Sequence, residues 1–359
     1  MLSAQYYIYI YMLIVSLCTF NVIKTYKANP FRSKQQDFIT GLILLVIITL
    51  FIGLRPISGK YFVDMRAYEQ TYNAYYNTIF FFKYDTENII FDNILPFMAS
   101  MRIPIELYFL FIATLYFAFM FVACQRLFPK DGLAAFVVYL GAFSTFSFGT
   151  NGIKAGLAAS FFLFAISFKE KLWISIPLVL VSKGLHHSMT IPIVAYLCTV
   201  LYNKPKLYFY FWFFSLVMAA AHITVFMNFF SQFTDEHGAD YLLGDMDTYI
   251  GFRPDFVLYS AAPVWVGWKA LKKIPKISKT YKQLLCMYLL TNSTWMLCMY
   301  ANFNNRIAYL SWFLYPVVLV YPFLNENWQG NRVRLFTQVS KYHLYFTLFM
   351  TLIFYNFIK

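Results

Sequence analysis

Six charged residues stand where long apolar runs begin or end: Arg55, Asp64, Arg66, Lys154, Arg253 and Arg306. Charges at such positions are costly unless paired or solvated. Taken singly, each has an ordinary explanation: a long side chain snorkels to the headgroups, or an arginine pairs with an aspartate and ties down a loop. Taken together, the five cations suit a phosphate-bearing ligand. A guanidinium fork matches two phosphate oxygens at once, whereas a lysine serves as a point charge. Asp64 and Arg66 lie in YFVDMRAYEQTYNAYY, a tyrosine-rich segment that includes Tyr68 and suits packing on sugar rings. Arg253 precedes Pro254 and Asp255 in GFRPDF, and Lys154 follows the turn GTNGI.

LHHSM supplies His186 and His187 at the junction of two apolar runs. A neutral imidazole there accepts a proton near neutral pH; the alternative is a pair of interfacial histidines bonded to backbone carbonyls. No third ligand has helical spacing to this pair, so neither a metal site nor a cofactor is expected. His222, His237 and His343 look incidental. The acidic stretch EHGADYLLGDMD, with Asp235 to Asp247, departs from the EF-hand pattern and reads as a solvated, glycan-facing loop. The five cysteines all sit in apolar runs without CxxC spacing and read as small buried hydrophobes.

The elements that must position these residues follow from composition. Hydrophobic residues make up 60% of the 359 and charged ones only 13%; a soluble domain has roughly 25% charged residues. Apolar runs recur along the chain, which predicts an all-α, polytopic membrane protein. About twelve spans are expected, near 4–23, 38–54, 104–124, 132–148, 153–168, 172–185, 189–203, 207–229, 255–270, 283–301, 307–324 and 342–358, forming one transmembrane domain of GT-C-like architecture. The start, lacking a basic stretch and a cleavage site, reads as a retained first span. With Met1 outside, nineteen of the 29 basic residues fall in inner connections, each holding at least two. Two larger outer loops remain, at about 55–103 and 231–254. Within the first, Asn88–Met101 is apolar but carries Asp92 and Pro96, and reads as an interfacial or re-entrant helix. The net charge of +13 follows topology and gives no reason to expect nucleic acid. No Walker or GxGxxG pattern occurs, and the inner connections leave no room for a nucleotide-binding domain. Any chemistry is expected at the outer face.

In order, Arg55, VDMRAYEQTY, NGIKAGLAASFFLFAISF, HHSMTIPI, GFRPDFVLYSAAPVW and NFNNRIAYLSWFLYP make a series over about residues 50–325 that resembles the EpsG family of polysaccharide polymerases, related in function to Wzy-type O-antigen polymerases. Val63 stands where members usually have glycine, and Lys154-Ala155 where they often have arginine–glutamine. The resemblance implies polymerisation of undecaprenyl-diphosphate-linked oligosaccharide repeats into O-antigen or exopolysaccharide. It places the protein in the bacterial cytoplasmic membrane with its site facing the periplasm or exterior. Donor, acceptor, bilayer and a chain-length regulator are the implied partners.

For that chemistry Arg253, Arg306, Lys154 and Arg55 are the expected cations and Asp64 or His187 the expected base, with Arg66, Tyr68, His186 and Asp255 on the substrate. A retaining route would use Asp64 or Asp255 as nucleophile. The rival readings are a flippase for lipid-linked oligosaccharide, a membrane O-acyltransferase, a single-sugar glycosyltransferase and a ligase. A flippase would show repeat symmetry and cations deep within its spans, neither of which this sequence has.

Overall fold

A computed structural model describes residues 2–28, 33–231, 251–302 and 304–357, and every regular element among them is helical. Most of the second expected outer loop, with its acidic residues and His237, lies outside the described residues. The chain divides into two compact units, Met1–Thr190 with Val333–Lys359, and Ile191–Arg332.

The first unit contains α1 (Tyr7–Ala28), α2 (Lys34–Gly53), α3 (Val63–Tyr75), α4 (Phe91–Ser100), α5 (Ile105–Leu127), α6 (Gly132–Leu140), α7 (Phe143–Thr150), α8 (Ile153–Ile166) and α9 (Leu172–Leu185). The second contains α10 (Thr190–Leu201), α11 (Pro205–Ala220), α12 (Val225–Ser231), α13 (Pro254–Lys273), α14 (Lys279–Leu297), α15 (Asn304–Trp312) and α16 (Tyr315–Leu324). The last helix, α17 (Arg332–Phe357), returns to the first unit. There His343 Nε2 lies 2.9 Å from the Val138 carbonyl of α6, and the Tyr11 hydroxyl of α1 donates to Leu140 O at 2.8 Å.

Among the described residues, four helical stretches are long and apolar enough to cross a membrane: Ala4–Ala28, Lys34–Gly53, Ile105–Leu127 and Asn304–Leu324. A fifth is formed if α6 and α7, which meet at a 72° bend, count as one broken span. The runs expected at 153–168, 172–185 and 189–203 form helices of 14, 14 and 12 residues. A straight crossing takes about 20 residues, so these differ from simple spans in length. Chain breaks explain the shortening. Gly152 and Asn151 interrupt between α7 and α8, and His186 in extended conformation ends α9.

Helix contacts in the first unit are close where glycine permits. A Cβ on Gly53 would sit 2.8 Å from the Leu110 Cα, so α2 and α5 touch backbone to backbone. At Gly156 it would sit 2.8 Å from the Phe148 carbonyl, which closes the α7–α8 turn. In the second unit a buried polar knot joins four helices. Asn292 Oδ1 accepts from Trp212 Nε1 at 2.8 Å, while its Nδ2 donates to Ser260 and Ser311 hydroxyls at 3.1 and 3.0 Å. Trp312 Nε1 donates to the same Ser260 hydroxyl at 2.8 Å. Away from water such a network stands only if its members satisfy one another.

Candidate functional site

The segment between α2 and α5 carries the first set of candidate side chains. Neither α3, at 13 residues, nor α4, at 10, is long enough to cross a bilayer. The apolar run expected at Asn88–Met101 is the short helix α4 with Pro96 inside it. Its N-terminal end is docked on the end of α9 by a bond from Ile90 N to Gly184 O, 2.9 Å. At Gly184 a Cβ would meet the Ile90 side chain at 2.7 Å, so the small residue allows the approach.

That docking brings together groups far apart in sequence. Lys154, in the first turn of α8, places its ammonium 2.7 Å from Asp92 Oδ1 and 5.4 Å from the centre of the Phe91 ring. Asn88 lies one turn before Asp92. Its Nδ2 is 3.4 Å from Asp92 Oδ2, and its Oδ1 accepts from the His187 backbone N–H at 2.9 Å. Lys154, Asp92, Asn88 and His187 thus form one connected line. The ring of His187 is half-buried and makes no hydrogen bond among the described residues. His186 differs: its Nδ1 accepts from Ser188 N–H at 3.2 Å and lies 2.8 Å from Ser188 Oγ, so the imidazole caps the short 3₁₀ turn His187–Met189.

Arg55 lies behind this line, 3% exposed. Its two Nη groups donate to Ile52 O and Thr150 O at 2.8 and 2.9 Å, the last carbonyls of α2 and α7, where cations are favoured. The Nε has no hydrogen-bond partner, and the guanidinium stands 5.1 Å from Phe109 and 5.5 Å from Phe62. Burial pulls its pKa down to about 9, with Tyr7, Tyr108 and Tyr68 opposing, so it remains a cation at neutral pH. Between Arg55 and Lys154 runs an aromatic wall: Tyr68 packs on Phe91, Tyr108 and Phe109 with centroids 6.1 to 6.3 Å apart. Asp64 is half-buried in the first turn of α3, where the helix dipole favours a carboxylate. Arg66 is exposed on the same helix, its stem over Gly59.

The second unit carries Arg253, Asp255 and Arg306. Arg253 forks onto Asp255, Nε to Oδ1 at 3.0 Å and Nη2 to Oδ2 at 2.6 Å, and its guanidinium covers the Phe256 ring at 3.6 Å. Three N–H donors of the guanidinium, two on Nη1 and one on Nη2, point away from that fork. The Arg253 backbone N–H meets Met299 Sδ at 3.4 Å, and Asn304 Nδ2 donates to Met299 O at 2.8 Å. Met299 therefore gathers the start of α13 and the start of α15, the helix on which Arg306 is exposed.

A model of the EpsG family matches residues 38–359. The chain belongs to the EpsG family. Membership gives it a polysaccharide polymerase role, glycosyltransferase-like, in polysaccharide biosynthesis at a membrane, consistent with its apolar helices. No curated protein and no solved structure matches the chain. Two residues of this candidate site, Asn88 and Asp92, are missing from the expected set. Their signal was a polar pair one helical turn apart inside an otherwise apolar run. Among the described residues no three His, Cys, Asp or Glu side chains converge as metal ligands.

Proposed function

We propose that the protein lengthens an O-antigen or exopolysaccharide by joining undecaprenyl-diphosphate-linked repeats at the outer face of a bacterial cytoplasmic membrane. Its shorter apolar helices complete about twelve crossings of GT-C-like kind, and a chain-length regulator partners it. In the reaction an acceptor hydroxyl bonds to the donor sugar C1 while the C1–oxygen bond to undecaprenyl diphosphate breaks. The electron pair leaves with the diphosphate, and the hydroxyl proton goes to a base. The observation that carries this reading is the line Lys154–Asp92–Asn88–His187, in which a segment too short to cross the bilayer ties the start of α8, with its cation, to the turn that carries a candidate base, the last link being the His187 backbone N–H.

Asp92 holds one N–H of the Lys154 ammonium and leaves two for a phosphate oxygen. His187 takes the proton, or Asp64 does so from the start of α3. Within the second unit Arg253 and Arg306 are cations suited to phosphate oxygens, Arg253 through the donors that its fork with Asp255 leaves over. A charge pair at 4 Å contributes about 4 kcal/mol at an effective dielectric near 20, so few cations are needed and no general acid is demanded. Arg55 and His186 act as positioning groups, tying down the helix ends that present Lys154 and His187; Arg66 and Tyr68 face the glycan. A retaining course with Asp64 or Asp255 as nucleophile is the alternative for the same cations.

Purified protein given a defined lipid-linked repeat should make a ladder rising by one repeat per step, with or without chelator. Absence of any longer product would overturn the polymerase reading and favour a flippase.

A further inference from the structure

Beside Asp92, on the same short helix, lies a cleft that the reaction does not use. It has a volume of about 500 Å³ and is walled by Tyr75, Phe80, Phe82, Tyr84 and Pro96, within the usual size range of small-molecule sites, roughly 300–1,000 Å³. Lys83 and Asp85 add two charged groups to this mostly apolar lining. The Lys83 ammonium bonds the Tyr75 hydroxyl at 2.5 Å and stands 4.6 Å from that ring's centre. The chain here has no helix or strand, yet it is fixed. Buried Asn93 accepts from Lys83 N–H at 2.8 Å and donates to Lys83 O at 2.9 Å, so both backbone groups of Lys83 are held by one amide. At the other end, Asn77 Oδ1 accepts from Arg102 Nε at 2.7 Å and Asn77 N donates to Ala99 O at 3.2 Å.

We infer that this cleft is a glycan subsite, which binds the sugars of a lipid-linked repeat beyond the one that reacts; this rests on the polymerase reading above. A sugar ring has flat C–H faces for aromatic planes and hydroxyl edges for Lys83, Asp85 and Tyr75. A polyprenyl tail would cover the Asp85 carboxylate and the two Lys83 N–H donors that the Tyr75 bond leaves over without offering them a partner, which is costly. Placement supports the same occupant. Pro96 follows Asp92 by four residues, about 6 Å along the helix, so a glycan whose diphosphate end meets Lys154 extends naturally into the cleft. The preformed loop spares the ordering cost that a mobile one would carry on binding.

The test uses the full-length protein in lipid nanodiscs and the oligosaccharide released by mild acid from the host cell's own lipid-linked repeat. Saturation-transfer NMR should show that this lipid-free glycan binds. Phe82→Ala and Lys83→Ala should each weaken it about tenfold, equivalent to about 1.4 kcal/mol. In the elongation assay both variants should raise KM about tenfold with kcat within about twofold. Absence of glycan binding, or unchanged binding by both variants, overturns the subsite. So does brominated-lipid quenching of the emission that Tyr84→Trp adds to the wild-type signal, if it is as strong as for the emission that Leu13→Trp adds at exposed Leu13 of α1, since the cleft would then lie among acyl chains. Glycan binding that the variants lose, with no polymer formed even by wild type, keeps the subsite and removes the polymerase reading.

Discussion

Lys154 and Asp92 keep 26% and 28% of their side-chain surface exposed, and that degree of exposure separates two roles. A pair so open to solvent contributes about 0–1 kcal/mol to stability. Lys154→Ala should therefore leave the melting temperature within about 2–4 °C while slowing elongation about 10²–10³-fold, the usual loss for one oriented donor. Lys154→Arg should retain most of the rate. Parallel loss of rate and stability would show instead that the lysine serves the fold. Arg253 gives the opposite pattern with respect to charge. Its fork on Asp255 and its stack on Phe256 both need a planar guanidinium, so Arg253→Lys should slow elongation nearly as much as Arg253→Ala. A lysine variant at wild-type rate would reduce Arg253 to a generic positive charge. The sequence made both cations visible because each interrupts an apolar run. It showed Asp255 two residues from Arg253 but could not show Asp92 as the partner of Lys154: the two are 62 residues apart, and only the docking of α4 on α9 brings them together.

Asn93 is to the segment between α2 and α5 what a cap is to a helix. It satisfies the Lys83 N–H and C=O and also donates to Ile89 O at 2.8 Å. Asn93→Ala leaves those groups without their partner, at about 1–3 kcal/mol for each that stays buried. The expected outcome is faster hydrogen exchange confined to residues 78–90, with exchange in α5 unchanged. Unchanged exchange at Lys83 would mean that the loop holds its shape by other contacts. This level was only half legible. The apolar runs announced the helices, and the Asn88–Met101 stretch announced a helix too short to span. The helix at Val63–Tyr75 was hidden in a tyrosine-rich stretch of the expected outer loop, because its inner stripe, Met65, Tyr68 and Tyr72, is narrow and mostly tyrosine while about half of its side chains face outward. The 72° bend at Gly141–Ala142 was hidden as well, since hydropathy alone runs through it as one span.

The division into two units has a consequence that the chain's tryptophans expose. Of seven, all but Trp173 lie in Ile191–Arg332, so intrinsic fluorescence reports the second unit. The polar knot at its centre uses two of them, Trp212 and Trp312, and Asn292 is bonded to Trp212, Ser260 and Ser311. Asn292→Ala removes that hub and leaves an indole N–H and two serine hydroxyls facing a cavity. Hydrogen bonds between membrane helices average only about 0.6 kcal/mol in measured cycles, but an orphaned buried donor costs about 1–3 kcal/mol and the cavity adds to it. Asn292→Ala should lower the fluorescence-detected unfolding midpoint by several degrees in detergent, and Asn292→Gln should recover little, because the longer amide does not fit the same three partners. Cys124, buried in the first unit, supplies the second reading through its reaction with a maleimide, followed at that residue by peptide mass spectrometry because the other four cysteines are also free. Its exposure should keep the wild-type temperature dependence if the knot serves the second unit alone. A variant whose fluorescence midpoint equals that of wild type would show that packing of the apolar surfaces, and not the Asn292 network, fixes how those helices cross.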